Sequence, residues 1–500
     1  MTRAKSPIDL TWIDSCLGTP SPVAWEPTHL VAAAAAARAA LDGATDVPRI
    51  DIPSYAPERQ AEIAWTVAAA ARAAKRDATA LVEGAFAAAK AVTDPAKRDR
   101  VLAWGAIELR RDDAATARAW AAAIADPGYK PELAAHEVVR LAHAGDAAAA
   151  VVVLAKLPPQ WAVRTDVTAW HGYPRWLGSA AAAACVATAS SVFAASRDAR
   201  VFVTAAEAAT ATITEAWRQN REERAVALAW ARIGELDRAF AAASRMPGSE
   251  RASAIALLLD GFGDAPGVDL VHLEALARKA IAATRQAPFV LGGSASDRAA
   301  LTAFVGQAVV GEVVAALARR HLARGDLTGA SALVDAIPTS LATHHEAALQ
   351  LACARKAADA LALPVDYAAN LAAAAAQVGC FDAMQRVLDG APHADRIAEN
   401  VAVATLADGR VDAVLALVHA IPSLSPARAA SLHGDLGFAL ARAGRGAEAL
   451  AVIAAIPAQP KNLEDGVVAA GYRGVVALVA AGDPAGARAL QAELQRRHGA

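Results

Sequence analysis

The sequence predicts an all-α fold built from antiparallel helix pairs, and two observations carry this prediction. First, a proline follows a glycine at an interval of 13 positions six times, with the residues of one short helix between them. The pairs are Gly145/Pro158, Gly234/Pro247, Gly325/Pro338, Gly379/Pro392, Gly409/Pro422 and Gly444/Pro457. Second, the chain is 55% hydrophobic but only 5% aromatic, and much of the apolar content is alanine, which has the highest helix propensity. Repetition at this scale indicates stacked helical hairpins.

Each position of the repeat has a physical role when the glycine is numbered zero. Positions −8 and −7 hold a large and a small residue in most repeats, as in Leu371-Ala372, which lets a neighbouring helix approach closely. The glycine suits a left-handed helix cap, and the following position is often acidic, as in Asp146 and Asp326, which favours the start of a helix. The proline ends the second helix. Position +5 is a close-contact alanine in five repeats: Ala150, Ala239, Ala330, Ala449 and Ala487.

This pattern resembles the tetratricopeptide repeat, which has a large-small pair in helix A, a turn glycine, an alanine in helix B and a terminal proline. The last four turn glycines are spaced by 30, 35 and 38 residues, which brackets the family period of about 34. The resemblance is best over 313–498 and around 221–247, although the glycine-to-proline interval is about one turn shorter than in the family. It implies a right-handed α-solenoid of stacked antiparallel helix pairs.

The chain divides into three predicted regions. Residues 1–57 form an N-terminal cap with irregular loops, and 58–220 form degenerate hairpin repeats with helices inserted near 175–196 and 198–219. Residues 221–500 form the tetratricopeptide-like repeats, interrupted at about 249–312 by helices near 249–261, 269–285 and 297–310. All ten tryptophans lie between Trp12 and Trp230, so the N-terminal half is predicted to be an irregular, Trp-rich helical region.

Composition argues against several classes of function. The 49 basic and 51 acidic residues give a net charge of −2, whereas general nucleic-acid binding depends on neutralising phosphates with a basic excess. Four scattered cysteines without a CxxC pair favour reduced, small apolar fillers and a cytoplasmic protein. The uncharged stretch 177–196 has the length of a membrane span, but its Ala, Ser and Thr content favours a buried helix. No membrane span is expected.

The repeat pattern also indicates where a partner would bind. The resemblance implies that polar residues of helix A line a peptide-binding groove, and Asn370 and Asn400 occupy the same slot, directly before the large-small pair, in consecutive repeats. Stacked amides of this kind can hydrogen-bond an extended backbone. The alternative interpretation is that these are ordinary exposed polar residues. The candidate binding residues are Asn370, Arg396, Glu399, Asn400, Asp435, Tyr472 and Arg473.

A second candidate patch lies in the Trp-rich half, where aromatic and cationic residues that dominate binding hot spots are concentrated. The alternative interpretation is a loop that packs its rings inside the fold. The patch consists of Trp161, Arg164, Trp170, His171, Tyr173, Arg175 and Trp176.

The histidines do not predict a metal site, because His136 and His143 lie two helical turns, about 10 Å, apart. Neither a metal nor a cofactor is predicted.

The sequence therefore predicts a non-catalytic α-solenoid scaffold that binds a protein or peptide. Two alternatives remain open. One is a helical-hairpin (α/α) enzyme whose cleft lies in the Trp-rich half, because its catalytic acids could be far apart in sequence. The other is an RNA-binding solenoid of the pentatricopeptide kind.

Overall fold

A computed structural model describes residues 27–47, 56–110, 113–161, 178–189, 198–262, 269–284, 295–407, 410–420, 426–456 and 461–498. These residues form 24 α-helices, and the only β-type pairing among them is an isolated bridge between Gln160 and Ser179. The prediction of an all-α fold is confirmed. The helices are α1 (Pro27–Asp42), α2 (Ala56–Ala73), α3 (Thr79–Lys90), α4 (Pro95–Leu109), α5 (Ala114–Ala122), α6 (Lys130–His143), α7 (Ala147–Leu154), α8 (Ala180–Ala189), α9 (Asp198–Thr210), α10 (Ala216–Arg232), α11 (Leu236–Arg245), α12 (Gly248–Phe262), α13 (Leu270–Thr284), α14 (Ala295–Ala323), α15 (Leu327–Asp335), α16 (Ala342–Ala354), α17 (Ala368–Gln377), α18 (Phe381–Asp389), α19 (Ala394–Ala407), α20 (Val411–Ala420), α21 (Pro426–Arg442), α22 (Gly446–Ala454), α23 (Lys461–Ala481) and α24 (Pro484–His498).

The chain packs as two compact units. Within the described residues, the first unit comprises 134–161 and 178–394, and the second comprises 27–133 and 395–498. The second unit thus contains helices from both ends of the chain. The predicted boundaries at 57 and 220 are not tested by this grouping and stay predictions.

In the second unit, α1 packs against α23, so the first described helix lies beside the last repeat. Ala36 and Ala40 of α1 are buried, and Val476 of α23 packs against the small cluster that they form with Ala70. The small alanine side chains let the helices approach closely. The repeat pattern did not predict this contact between residues from opposite ends of the sequence.

The turn glycines have the predicted left-handed backbone. Each φ lies between 71° and 87° at Gly145, Gly234, Gly325, Gly379, Gly444 and Gly482, while Gly409 lies outside the described residues. At Gly145, the glycine N–H donates to the Ala142 carbonyl at 3.0 Å and the next N–H donates to the Leu141 carbonyl at 2.9 Å. This is the hydrogen-bond pattern of a Schellman cap, and it recurs at the other five glycines.

Two further turns of the same kind lack glycine. Lys75 has φ 56° and Lys356 has φ 55°. The Lys356 N–H donates to the Cys353 carbonyl at 3.0 Å and the Ala357 N–H donates to the Ala352 carbonyl at 2.8 Å, as at the glycine turns. The glycine pattern therefore missed these two turns.

Helix B ends and packs as predicted. Helices α7, α11, α15 and α18 end at residues 154, 245, 335 and 389, two to four positions before their prolines. The five alanines at position +5 are all 0% exposed. The carboxylates of Asp146 and Asp326 accept hydrogen bonds from the backbone N–H groups of Ala149 at 3.1 Å and Gly329 at 2.8 Å.

The inserted helices lie close to their predicted positions. Helices α8, α9, α12 and α13 correspond to the helices expected near 175–196, 198–219, 249–261 and 269–285. The helix expected at 297–310 is part of α14, which continues for 29 residues to the Gly325 turn. The buried 10-residue helix α8 occupies part of the uncharged stretch, and none of the described helices is long and apolar enough to cross a membrane.

The interpretation of the cysteines as reduced apolar fillers is wrong for Cys353 and Cys380. Their Cα atoms are 6.1 Å apart and their sulfur atoms form a disulfide. Cys353 belongs to the last turn of α16, and Cys380 follows the Gly379 turn. They are 27 residues apart in sequence, and the stacking of successive repeats brings them together.

Candidate functional site

The helix A position nine residues before the turn residue, which precedes the large-small pair where one is present, differs between repeats. It holds a buried alanine, 0–1% exposed, before the turns at Gly234, Gly325 and Lys356. It holds an exposed polar residue in the last four repeats, whereas the following residue stays buried in each of them. The buried alanines are Ala225, Ala316 and Ala347, and the exposed polar residues are Asn370, Asn400, Asp435 and Arg473. In the repeats that end at Lys75 and Gly145 the position holds the half-buried Thr66 and the buried His136, so an exposed polar residue at this position is found in the last four repeats.

In the second unit, α21 and α23 pack side by side and present a charged and aromatic group of residues. The Arg473 guanidinium lies 4.6 Å from the centroid of the Phe438 ring, and the Arg442 guanidinium lies 5.9 Å from it. Asp435 is one turn before Phe438 on the same face of α21. We name Asp435, Phe438, Arg442 and Arg473 the α21–α23 cluster.

The charges of the α21–α23 cluster are accessible and at the same time poorly solvated. Burial among protein atoms raises the pKa of Asp435, and the positive charge of Arg473 opposes that rise. Burial lowers the pKa of Arg473. The negative charge of Asp435 opposes that decrease, and the positive charge of Arg442 adds to it. Both side chains nevertheless expose more than a third of their surface. Charges that are partly desolvated in this way interact more strongly with an incoming charged group than fully hydrated charges do.

In the first unit, Asn370 has a polar neighbour from the preceding helix. Its amide donates to the carboxylate of Glu346 on α16 at 2.7 Å. Glu312 on α14 is close enough for Glu346 to raise its pKa, although burial is the larger cause of that rise. Helices α14, α16 and α17 thus place Glu312, Glu346 and Asn370 close to one another in the first unit.

The other predicted residues are distributed differently. Arg396 and Asn400 are exposed on α19, and Glu399 is half-buried. Tyr472 is only 6% exposed, and burial raises the pKa of its hydroxyl while Arg38 of α1 opposes that rise. Tyr472 therefore packs inside the second unit and does not reach the surface that carries Arg473.

The structure describes one member of the alternative patch. Trp161 is 8% exposed, its backbone N–H donates to the Gly178 carbonyl at 3.0 Å, and its backbone carbonyl accepts from the Arg218 guanidinium at 3.0 Å. The low exposure of Trp161 fits the packing interpretation for this residue. The other members lie outside the described residues: Arg164, Trp170, His171, Tyr173, Arg175 and Trp176.

Sequence reasoning missed Phe438, Arg442, Glu346 and Glu312. The first two follow Asp435 by three and seven positions, so helical spacing could have placed them on its face. Glu346 belongs to the repeat whose turn residue is Lys356, which the glycine pattern does not reveal. No group of three or more His, Cys, Asp and Glu side chains is arranged to hold a metal ion within the described ranges.

Comparisons with known proteins give no family for this chain. No family model matches it, and no curated protein matches it. The crystal structure of Ton1535 from Thermococcus onnurineus NA1 is similar over 78% of this chain and 95% of that chain, at 14% identity and a TM-score of 0.20. A likeness at this level carries no functional argument.

Proposed function

We propose that the protein is a non-catalytic scaffold that binds a protein or peptide through polar residues on helix A of its last four repeats. The observation that supports this most directly is the helix A position nine residues before each turn. It changes from buried alanine to exposed Asn370, Asn400, Asp435 and Arg473, although the neighbouring packing residues stay buried. A merely solvated surface gives no reason for this change to fall at one position of helix A.

The proposal includes a right-handed solenoid arrangement of the helix pairs. Its support is the repeat pattern together with the packing of successive first helices, such as α16 on α17 and α21 on α23. Several first helices also pack against their own second helix, as α23 does against α24. Within the second unit, the packing of α21 on α23 brings the equivalent positions of Asp435 and Arg473 close together, which suits a partner segment that crosses both helices.

The chemistry of the slots suits backbone and ionic groups of a polypeptide. Asn370 and Asn400 offer both donors and acceptors, Arg473 offers a planar set of donors, and Asp435 offers an acceptor. The Phe438 ring supports the guanidinium of Arg473 and limits its freedom, which reduces the entropy lost when a partner binds.

The test begins with the protein that copurifies at fixed stoichiometry with the intact chain. Its affinity is measured by calorimetry for the parent and for Arg473→Gln, which keeps much of the side chain but removes the charge. We expect at least tenfold weaker binding, about 1.4 kcal/mol, and little change in melting. The double change Asn370→Ala with Asn400→Ala should also weaken binding at least tenfold.

The matched control is Arg488→Gln, because Arg488 is an exposed arginine on helix B of the same repeat as Arg473. It should change the affinity less than twofold. Equal losses for both arginine variants would mean that only overall charge matters, and an inert Arg473→Gln would contradict the proposed surface. Sub-micromolar binding of the intact chain to a defined single-stranded RNA would favour the pentatricopeptide-like alternative.

A further inference from the structure

The repeat that begins with α16 lacks an ordinary second helix. After the Lys356 turn the chain forms only two short 3-10 segments, Ala358–Ala360 and Val365–Tyr367, whereas α18 in the next repeat has nine residues. Neither short segment contains a buried residue, while α18 buries four. The segment 356–367 therefore lacks the apolar packing that holds the other second helices.

Other contacts hold this segment in place. Arg386 of α18 donates to the Ala358 carbonyl at 2.8 Å, and the Tyr367 hydroxyl donates to the Ser340 carbonyl at 3.1 Å. The third contact is the Cys353–Cys380 disulfide, which joins the end of α16 to the start of α18. Two of these three contacts therefore tie the incomplete repeat to α18.

The disulfide is also positioned to affect the candidate binding surface. It fixes α16 relative to α18 across α17, and the contact between α16 and α17 contains the Glu346–Asn370 hydrogen bond. Glu346 lies seven residues, two helical turns, before Cys353 on α16. A rotation of α16 that follows loss of the disulfide would move Glu346 relative to Asn370.

We propose that the Cys353–Cys380 pair is a thiol–disulfide switch that orders the segment 356–367 and thereby controls partner binding at Asn370. The binding part rests on the function proposed above. Both cysteines are half-buried and are therefore within reach of a small reductant.

The reaction balances with a dithiol as reductant. One thiolate of the dithiol attacks a sulfur of the disulfide, and a mixed disulfide forms while the other cysteine leaves as a thiolate. The second thiol of the reductant then displaces the protein sulfur. Two electrons pass to the protein, both cysteines become thiols after protonation, and the reductant becomes a cyclic disulfide.

The first measurement uses the full chain oxidised with oxidised glutathione and then reduced with dithiothreitol. Peptide mapping of the oxidised protein should recover a peptide pair joined through Cys353 and Cys380. Reduction should speed hydrogen exchange in peptides from 354–367 at least tenfold, and Cys353→Ser should show the fast exchange under both conditions. Cys185→Ala, at a buried cysteine outside this pair, should keep the response to dithiothreitol. Absence of the joined peptide, or equal exchange before and after reduction, would overturn the proposal.

The second measurement compares partner affinity in the two redox states, and we expect it to fall at least threefold on reduction. Unchanged affinity would overturn the link to binding, provided that Asn370→Ala weakens the same partner. If Asn370→Ala is also inert, the proposed binding surface is wrong, and the exchange data alone decide whether the switch exists.

Discussion

A single methyl group added at Gly105 is expected to disturb the aromatic core of the second unit. Gly105 lies inside α4, and a Cβ atom there would be 2.0 Å and 2.2 Å from the Cζ3 and Cε3 atoms of Trp120. Trp120 is 1% exposed, and the centroid of its ring lies 5.1 Å from the ring centroid of Trp65 and 5.2 Å from that of Phe86. The ring is therefore held on several sides and has little room to move away.

The size of the effect follows from two opposing contributions. Replacing glycine by alanine inside a helix gains about 1 kcal/mol of helix propensity. Overpacking a well-filled core costs about 1–3 kcal/mol and occasionally more. Because the overlap here involves the ring of a buried tryptophan, we place Gly105→Ala at the upper end of that range, with a net loss of about 1–2 kcal/mol.

The control is Gly84→Ala in α3, where a Cβ atom would meet nothing within 4 Å. It should stabilise the helix by about 0.5–1 kcal/mol. A chain of 500 residues in two units is not expected to unfold in one step, so local stability is the better readout. Native-state hydrogen exchange of peptides from 95–122 should speed up about 5- to 30-fold in Gly105→Ala, since 1.4 kcal/mol corresponds to tenfold.

A double-mutant cycle with Trp120→Phe identifies the cause. Removing part of the indole makes room for the methyl group, so the two changes should be coupled by at least about 0.5 kcal/mol in favour of the double variant. Additive effects, or a Gly105→Ala protein as stable as the parent, would refute the packing argument.

Two other predictions concern the turns and pH. Lys75→Gly and Lys356→Gly should each stabilise their own turn by up to about 1 kcal/mol, because glycine adopts the left-handed backbone without the penalty of a side chain. Hydrogen exchange in each turn should slow accordingly. Gly325→Ala should act in the opposite direction, and equal effects at all three turns would contradict this account. Burial and, to a smaller extent, His344 lower the pKa of His345 below its ordinary value of 6.5, so the unfolded chain binds more protons just below that pH. Local stability of α16 should therefore decrease as the pH falls through about 6.5 towards the lowered pKa, and His345→Gln should flatten that dependence in exchange measurements from pH 5 to 7.5.

Much of the local structure could be predicted because each signal acts within one repeat. A left-handed glycine, an acidic first turn and a helix-ending proline depend on backbone geometry over a few residues. The turns at Gly145 and Gly444 and the buried alanines at Ala239 and Ala449 were predicted from such signals alone. Where a lysine adopts the same backbone, as at Lys356, the signal in the sequence disappears although the turn remains.

The candidate site could be predicted only in part. The slot of Asn370 and Asn400 was evident from its register with the large-small pair. The neighbours of that slot come from adjacent repeats, so Glu346 beside Asn370 and Phe438 beneath Arg473 depend on how far each helix is rotated against the next. That rotation is set by the whole packing interface and is not encoded in any single repeat.

The sequence by itself determined the all-α class, the positions of most turns and the faces that the helices bury, because these follow from backbone preferences and from alternation between large and small residues. Only the tertiary structure decided that α1 packs on α23, that Cys353 meets Cys380, and that Tyr472 is buried while its neighbour Arg473 is exposed. Each of these outcomes joins residues from different repeats. The angle and rotation at which each helix packs are set by its whole interface, so contacts between distant residues are fixed by the assembled fold.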